Sequence, residues 1–182
     1  MPSTARREAI LGGMTPGIQE LMRQNERAWD AHRDAVAAGD LERALSGTDA
    51  ATSLVNLPVR TGAPDRAGLR RYLAEDLLPH LPADLVRRRL SRTVDRFRLV
   101  EEELVAFTHD RELPWLLPGA APTHRHAEVV AITIATFRQG RIGAQRTLWD
   151  HAGLLARLGL SADAVRTGPA AAPAVAEKAS WW

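Results

Sequence analysis

Histidines, carboxylates and tryptophans are concentrated between Phe107 and Gly159. The members of this group are His109, Asp110, Glu112, Trp115, His124, His126, Glu128, Trp149, Asp150 and His151. Histidine and carboxylate side chains are the usual general acids and bases of enzymes. The stretch predicts a strand, a long reversal, two strands joined by a tight turn, and a closing helix. We expect the ends of these strands to bring the polar side chains together at one pocket.

Asp150 is the first candidate for a catalytic residue, because it lies between Trp149 and the helix that begins at His151. In an apolar pocket the charged form of a carboxylate is disfavoured, which would raise the pKa of Asp150 into the range of a general base. The same position also suits an N-cap, whose side chain accepts a hydrogen bond from a free amide of the helix. Both interpretations stay open at this point.

His109 is the second catalytic candidate. It alternates with Val105 and Phe107 along a predicted strand, so it faces the interior if they do. An inward histidine there is a candidate acid/base group. The alternative is a hydrogen-bonded histidine of the core or of the sheet edge.

His126 and Glu128 share one face of a predicted strand with His124, because side chains alternate with a period of two. We expect His126 and Glu128 to be polar groups at the mouth of the pocket that assist catalysis. Only Ala127 separates them, whereas the cupin metal motif has three or four residues there, so no metal site is predicted.

Aromatic residues supply the candidates for substrate binding. Trp115 and Trp149 are placed to stack on a planar substrate, while Trp29 and Tyr72, from predicted helices, are placed to line the opposite wall. Arg146 is a candidate for binding an enolate or a carboxylate. The alternatives are ordinary core positions for the aromatic residues and an outward salt bridge for Arg146.

Hydrophobic periodicity predicts helices in the first half of the chain and strands in the second. Helices are predicted from Thr15 to Gly39, over 41–45, from Asp65 to Leu81 and from Asp150 to Leu158, and strands over 51–57, 85–93, 97–109, 124–138 and 141–149. Gln139 and Gly140 form the predicted hairpin turn. The order indicates an α+β fold, with the N-terminal helices packed on a strongly curved antiparallel sheet that forms a cone.

A chain of 182 residues suffices for one domain with a sizeable core. We predict an N-terminal arm over 1–15, the cone domain over 16–160, and an alanine- and proline-rich tail over 161–182. The tail ends in Trp181 and Trp182, which we expect either to be mobile or to cover an apolar groove or a partner chain.

The composition of the chain argues against several classes of function. The chain has no cysteine, which excludes disulfides and thiolate sites, and it has no apolar run long enough to span a membrane. The arginines between Arg87 and Arg98 have few interleaved aromatic residues, so a role in nucleic-acid binding is not predicted. We expect a solvated strand face or pairing with Glu101, Glu102 and Glu103. No nucleotide-binding glycine loop or nucleophile elbow is present, so no cofactor is predicted. We expect a cytoplasmic protein.

Four segments in order resemble the SnoaL-like polyketide cyclase family of the nuclear transport factor 2-like superfamily. They are Thr108–His109 with Glu112, PGAAPT at 118–123, FRQGRI at 137–142 and LWDHAGLLARLGL at 148–160. The resemblance covers about residues 16–160. It implies a helix-capped cone, a homodimer, and cofactor-free aldol-type ring closure by an acid/base pair.

The resemblance also assigns roles to positions. The catalytic aspartate of the family matches Asp150, whereas its partner histidine falls near Thr136 and a second histidine of many relatives falls at Leu57. His109 is therefore the candidate replacement acid. We expect a polyketide-type cyclase or isomerase acting on an apolar, oxygenated small molecule. The alternatives are an epoxide-opening enzyme on the same fold, which would use Asp150 with Glu128 or Glu112, and a non-catalytic ligand-binding or structural dimer.

Overall fold

The computed structural model describes residues 17–167. The predicted arm and Trp181–Trp182 lie outside this range. Helices precede most of the strands, as predicted, and the fold is α+β. The elements are α1 (Ile18–Ala37), α2 (Leu41–Ser46), β1 (Thr48–Asn56), β2 (Thr61–Ala63), α3 (Arg66–Arg71), β3 (Val86–Val94), β4 (Arg98–Thr108), β5 (His126–Arg138), β6 (Arg141–Trp149) and α4 (His151–Leu158), with a π-helix (Tyr72–Leu77) and 3₁₀ turns (Leu78–His80 and Ala162–Ala164).

Helix α1 packs on the sheet through a stripe that includes Trp29, His32 and Ala35, all of which are buried. Its spacing follows the helical period, which is why the sequence predicted it. Gly39 has a φ of 71° and ends the helix in the left-handed conformation that glycine adopts at low cost.

The predicted helix from Asp65 to Leu81 is divided into three pieces. Asp65 caps α3 by accepting a hydrogen bond from the amide of Gly68 at 2.7 Å. The chain then widens into the π-helix and narrows into the 3₁₀ turn that contains Pro79. A proline removes an amide donor and displaces the carbonyl four residues earlier, so a regular helix does not continue through it. Short π-helices are often found at functional sites.

Six strands form one sheet in the order β2-β1-β6-β5-β4-β3. The prediction of an antiparallel sheet is wrong at one place, because β1 pairs parallel with β6 while the other four pairings are antiparallel. Parallel neighbours need a long crossover, and nearly the whole domain separates β1 from β6 in sequence. The sheet is not closed.

Burial alternates along β5, with Ala127, Val129 and Ala131 buried and His126, Glu128 and Val130 exposed. The face that contains Ala127 is covered by the helices, and we call it the inner face. The predicted turn at Gln139–Gly140 is present, with φ values of 50° and 71°. Among residues 17–167, no helix is both long and apolar enough to cross a membrane.

Candidate functional site

A cavity of about 450 Å³ lies between α1, the π-helix and the inner face of the sheet. This volume is within the range of roughly 300–1,000 Å³ that is typical of small-molecule sites. The apolar part of its wall includes Leu54, Leu73, Leu77, Val105, Val129 and Ala131. Val129, Ala131 and Thr133 are modest in size, so the centre of β5 leaves space that larger side chains would fill.

His32 is the histidine of α1 that lines the cavity. It is 5% exposed, its ring stacks on Trp29 at 5.9 Å between centroids, and its Nδ1 lies 2.9 Å from the carbonyl oxygen of Ala44. A carbonyl only accepts, so Nδ1 carries the proton and Nε2 keeps a lone pair. Burial lowers the pKa of His32, and Arg33 lowers it further, against the opposite effect of the bond to Ala44. His32 is therefore a neutral base near pH 7.

Tyr72 and Asn56 form the main hydrogen-bonded group of the cavity wall. The Asn56 amide nitrogen lies 2.7 Å from the Tyr72 hydroxyl, 3.0 Å from the Trp115 carbonyl oxygen and 3.1 Å from the Thr61 hydroxyl. In the bond to Asn56 the Tyr72 oxygen is the acceptor, so this bond does not use the phenolic hydrogen. Burial raises the pKa of Tyr72, so the hydroxyl stays protonated.

Arg87 and Arg33 bring positive charge to the cavity wall. Both bind the carboxylate of Glu103, which is 2% exposed; Arg87 does so at 2.9 Å. The neighbouring Glu101 accepts from Arg92 at 2.8 Å and from the indole of Trp29 at 2.9 Å. The predicted pairing of the arginine run with these glutamates is present in both cases.

Three of the predicted substrate-binding residues, Tyr72, Trp115 and Trp149, line the cavity. The Trp149 indole donates to Nδ1 of His151 at 3.4 Å. The hydroxyls of Thr133 and Thr147, which also line the cavity, lie 3.2 Å apart across β5 and β6. Substrate binding by these residues stays a prediction.

Asp150 does not line this cavity. It is exposed, and its side chain accepts a hydrogen bond from the amide of Gly153 at 2.9 Å, which makes it the N-cap of α4. Asp150 and Glu128 instead line a separate depression of about 160 Å³, which is smaller than typical ligand sites. The structure therefore favours the capping interpretation over catalysis.

His109 is fully buried, as the alternation with Val105 and Phe107 indicated, but it does not line the cavity. It follows the end of β4, where its Nδ1 accepts a bond of 3.4 Å from the amide of Thr123. Nε2 therefore carries the proton, and it has no partner within residues 17–167. Burial lowers the pKa of His109. His109 therefore does not share the cavity with His32 and Tyr72.

His126 and Glu128 are on the exposed face of β5, opposite the cavity. The period of two was correct, but the sequence does not show which of two largely apolar faces is covered. Arg146 shares the outer face for the same reason, since Gln145 and Thr147 point to the cavity. Trp29 is completely buried against Glu101 and His32 and does not reach the cavity.

The sequence interpretation missed His32, Asn56 and Arg87 as site residues. His32 carried a usable signal, because it lies three residues after Trp29 on the apolar stripe of α1. A polar side chain on a buried stripe needs a partner or a function. Asn56 and Arg87 carried no comparable signal, since a strand-end asparagine and a charged strand residue are commonly exposed.

Within residues 17–167, no group of three or more histidine, aspartate or glutamate side chains is arranged to hold a metal ion. The polar groups around the cavity are mainly amide, hydroxyl and guanidinium groups. Guanidinium groups in particular cannot bind a cation.

Structural comparison identifies similar folds at low sequence identity. A protein assigned as a SnoaL-like polyketide cyclase from Jannaschia sp. CCS1 matches with a TM-score of 0.65 and 13% identity, over 82% of this chain and 99% of that chain. IdmH, assigned as a polyketide cyclase from Streptomyces antibioticus, matches with a TM-score of 0.57 and 20% identity, over 75% and 99%. An epoxide hydrolase from M. tuberculosis matches with a TM-score of 0.56 and 12% identity, over 79% and 92%.

No protein-family model and no curated protein sequence matches the chain. The structural matches therefore establish the fold, on which several different chemistries occur. The activity has to be argued from the cavity.

Proposed function

Because the chain has the nuclear transport factor 2-like fold found in SnoaL-like proteins, we propose that it is a cofactor-independent acid/base enzyme for an apolar, oxygenated small molecule. The reaction class is proton abstraction beside a carbonyl group, followed by isomerisation or polyketide-type ring closure. One observation carries the proposal: the bond from Nδ1 of His32 to Ala44 leaves the Nε2 lone pair as a base in an apolar cavity.

The first step is removal of a proton by His32. Nε2 takes the proton from the carbon next to the substrate carbonyl, the C–H electron pair forms a C=C bond, and the carbonyl π pair moves to oxygen. Tyr72 donates its hydrogen to the developing enolate oxygen and is itself oriented by Asn56. A preorganised donor of this kind stabilises charge that develops in the transition state.

The second step returns the proton. In isomerisation, protonated His32 gives it to another carbon of the enolate. In ring closure, the enolate carbon attacks a second carbonyl, and His32 protonates the new alkoxide. Either path leaves the enzyme in its starting state and needs only groups that line the cavity.

Epoxide opening receives less support from the same residues. That chemistry uses a carboxylate to position the nucleophile, and the predicted carboxylates Asp150, Glu128 and Glu112 do not line the cavity. Asp34 is the single carboxylate among the described lining residues, and it is exposed. The mechanism with His32 therefore fits the cavity better.

The test uses 2-tetralone, a neutral aromatic ketone with acidic C–H bonds, in deuterated buffer. We expect the wild-type protein to accelerate deuterium exchange, measured by NMR, and His32→Gln to lose at least about 100-fold of this rate. Tyr72→Phe should lose a similar factor of the exchange rate, because it removes the hydrogen-bond donor to the enolate oxygen. His126→Gln is the matched control, because that histidine is on the outer face.

Retention of the wild-type exchange rate by His32→Gln would contradict the proposed role of this residue. Binding of 2-tetralone without accelerated exchange would instead favour a non-catalytic ligand-binding protein.

We also propose that two copies associate through the outer face of the sheet. The exposed apolar residues there include Leu90, Val100, Val130, Ile132 and Leu148, each about two-fifths exposed. They continue across β3, β4, β5 and β6, where Ile132 lies opposite Leu148 and beside Glu102. The surrounding Arg98 and Glu102 have opposite charges, so a two-fold related copy is able to pair them.

A further inference from the structure

Arg87 has an incomplete set of partners at the cavity wall. It lies on β3, lines the cavity, and donates from Nη1 to Glu103 at 2.9 Å. A guanidinium has five N–H donors in a planar fork. The other donors of Arg87 have no hydrogen-bond acceptor among the described residues.

The carboxylate of Glu103 does not neutralise this part of the wall, because Arg33 binds the same group. Two guanidinium groups therefore share one carboxylate, which leaves one excess positive charge. Glu101 is two residues away on the same strand face, but its carboxylate is held by Arg92 and Trp29 and does not line the cavity. Asp34 lines the cavity but is exposed.

Burial and the nearby charge of Arg33 lower the pKa of Arg87 to about 10, despite the opposite effect of Glu103. The guanidinium is still protonated near pH 7, but its surroundings disfavour the charge. The side chain of Arg87 is only partly buried, with 28% of its surface exposed. A partly buried charge is stabilised by an opposite charge with good hydrogen-bond geometry. An anionic ligand group would supply it.

The guanidinium of Arg87 lies over the indole ring of Trp115. The guanidinium carbon lies 5.9 Å from the centroid of the indole ring. Trp115 is itself held through its carbonyl oxygen by Asn56 at 3.0 Å and Thr61 at 3.1 Å. A positioned guanidinium fork with free donors is suited to bidentate binding of a carboxylate.

We infer that the ligand of this cavity is an apolar, ring-containing carboxylic acid whose ionised carboxylate binds Arg87, with Arg33 adding to the positive potential. This inference rests on the proposed function in that it names the substrate class for the same cavity. The apolar wall takes the body of the molecule, while Arg87 orients its charged end. The reacting carbonyl then faces His32 and Tyr72, which line the same cavity.

Isothermal titration calorimetry with 2-naphthoate and 2-naphthamide tests the inference. The two probes have the same rings and nearly the same shape but differ in charge. We expect the wild-type protein to bind the carboxylate at least about tenfold more tightly, since hydrogen bonds between charged groups are about twice as strong as neutral ones. Arg87→Met should lose this preference while its affinity for the amide is unchanged.

Arg88→Met is the matched control, because Arg88 is the next residue of β3 and is exposed. It should keep the preference of the wild-type protein. Arg87→Lys keeps the charge but loses the fork, and it should show an intermediate preference. In Arg87→Met, Glu103 keeps Arg33 as a partner, and circular dichroism checks that the variant is folded.

Equal binding of the two probes by the wild-type protein, or an undiminished preference in Arg87→Met, would overturn the inference. Failure of the wild-type protein to bind 2-naphthoate would overturn it as well. These results are distinguishable from failure of the proposed function, because the exchange assay uses a neutral ketone and reports on His32. If the protein prefers the carboxylate probe but does not accelerate deuterium exchange of the ketone, the anion site is supported and the proposed catalysis is rejected.

Discussion

Nδ1 of His32 lies 2.9 Å from the carbonyl oxygen of Ala44, twelve positions later in the next helix. This bond joins α1 to α2 and selects the tautomer of the imidazole. The tautomer of His32, the proposed base, is therefore selected by the backbone of a neighbouring helix and not by a second side chain. A main-chain partner persists whatever residue replaces Ala44, provided that the helix keeps its position.

The stability of the fold should depend on the protonation of three of its histidines, two of them buried and His151 partly buried. Burial lowers the pKa of His32, His109 and His151 below the ordinary value of 6.5. The unfolded chain therefore binds more protons between those lowered values and 6.5, so their contribution to the free energy of unfolding is complete above 6.5 and declines as the pH falls. Urea denaturation between pH 8 and 5 should show this decline.

His32→Gln should have a shallower decline of unfolding free energy than the wild-type protein over the same pH range. His126→Gln should match the wild-type slope, because His126 is exposed. Equal slopes for all three proteins would show that His32 does not contribute to the pH dependence.

Substitution of Asp150 should separate capping from catalysis. Asp150→Ala removes the acceptor for the Gly153 amide and should lower the free energy of unfolding by about 0.5–2 kcal/mol. Asp150→Asn keeps a side-chain oxygen and should remain close to the wild-type protein in stability and in 2-tetralone exchange. Asp40→Ala, at the equivalent cap of α2, gives the reference size of the effect.

A stable Asp150→Asn variant that has lost its exchange activity would restore Asp150 as a catalytic residue. It would also show that the depression lined by Asp150 and Glu128 takes part in the reaction.

Asn56 should be important for both stability and activity. Its amide joins the Tyr72 hydroxyl, the Trp115 carbonyl oxygen and the Thr61 hydroxyl inside the fold. Asn56→Ala leaves buried polar groups with fewer partners and should lower the free energy of unfolding by about 1–3 kcal/mol. Urea denaturation measures this loss, and Asn25→Ala, which removes a bond to Asp95, is a comparison outside the cavity.

The exchange assay gives the second readout for Asn56. Asn56→Ala should slow 2-tetralone exchange because Tyr72 loses the donor that orients it. Exchange at the wild-type rate in a folded Asn56→Ala variant would contradict that positioning role.

The proposed association through the outer sheet face predicts that Ile132→Lys is a monomer. Ile132 is at the centre of the apolar patch, and a lysine there would place a charge in the interface. Light scattering coupled to size-exclusion chromatography measures the mass in solution. Ile18→Lys is the control, because Ile18 is an equally apolar, exposed residue on α1.

A wild-type protein that is monomeric at micromolar concentration would contradict the proposed dimer. A dimer that persists in Ile132→Lys would place the interface on another face of the molecule.

The sequence by itself determined most of the element types and limits, but it did not predict β2 or the division of the helix after Asp65. The helical stripe of α1, the turn at Gln139–Gly140 and the alternation along β5 are local properties, because each depends on the conformational preferences of a few successive residues. The motifs at 108–160 also indicated the fold that the structural comparisons support. These signals need no knowledge of distant contacts.

Only the tertiary structure decided where the cavity lies and which side chains face it. Along β5, Val130 and Ile132 are as apolar as Val129 and Ala131, so alternation alone does not identify the covered face. The helices cover the side with smaller residues, which placed His126, Glu128 and Arg146 outside. His32, Asn56, Tyr72 and Arg87 come from four separate elements, and only packing brings them to one cavity.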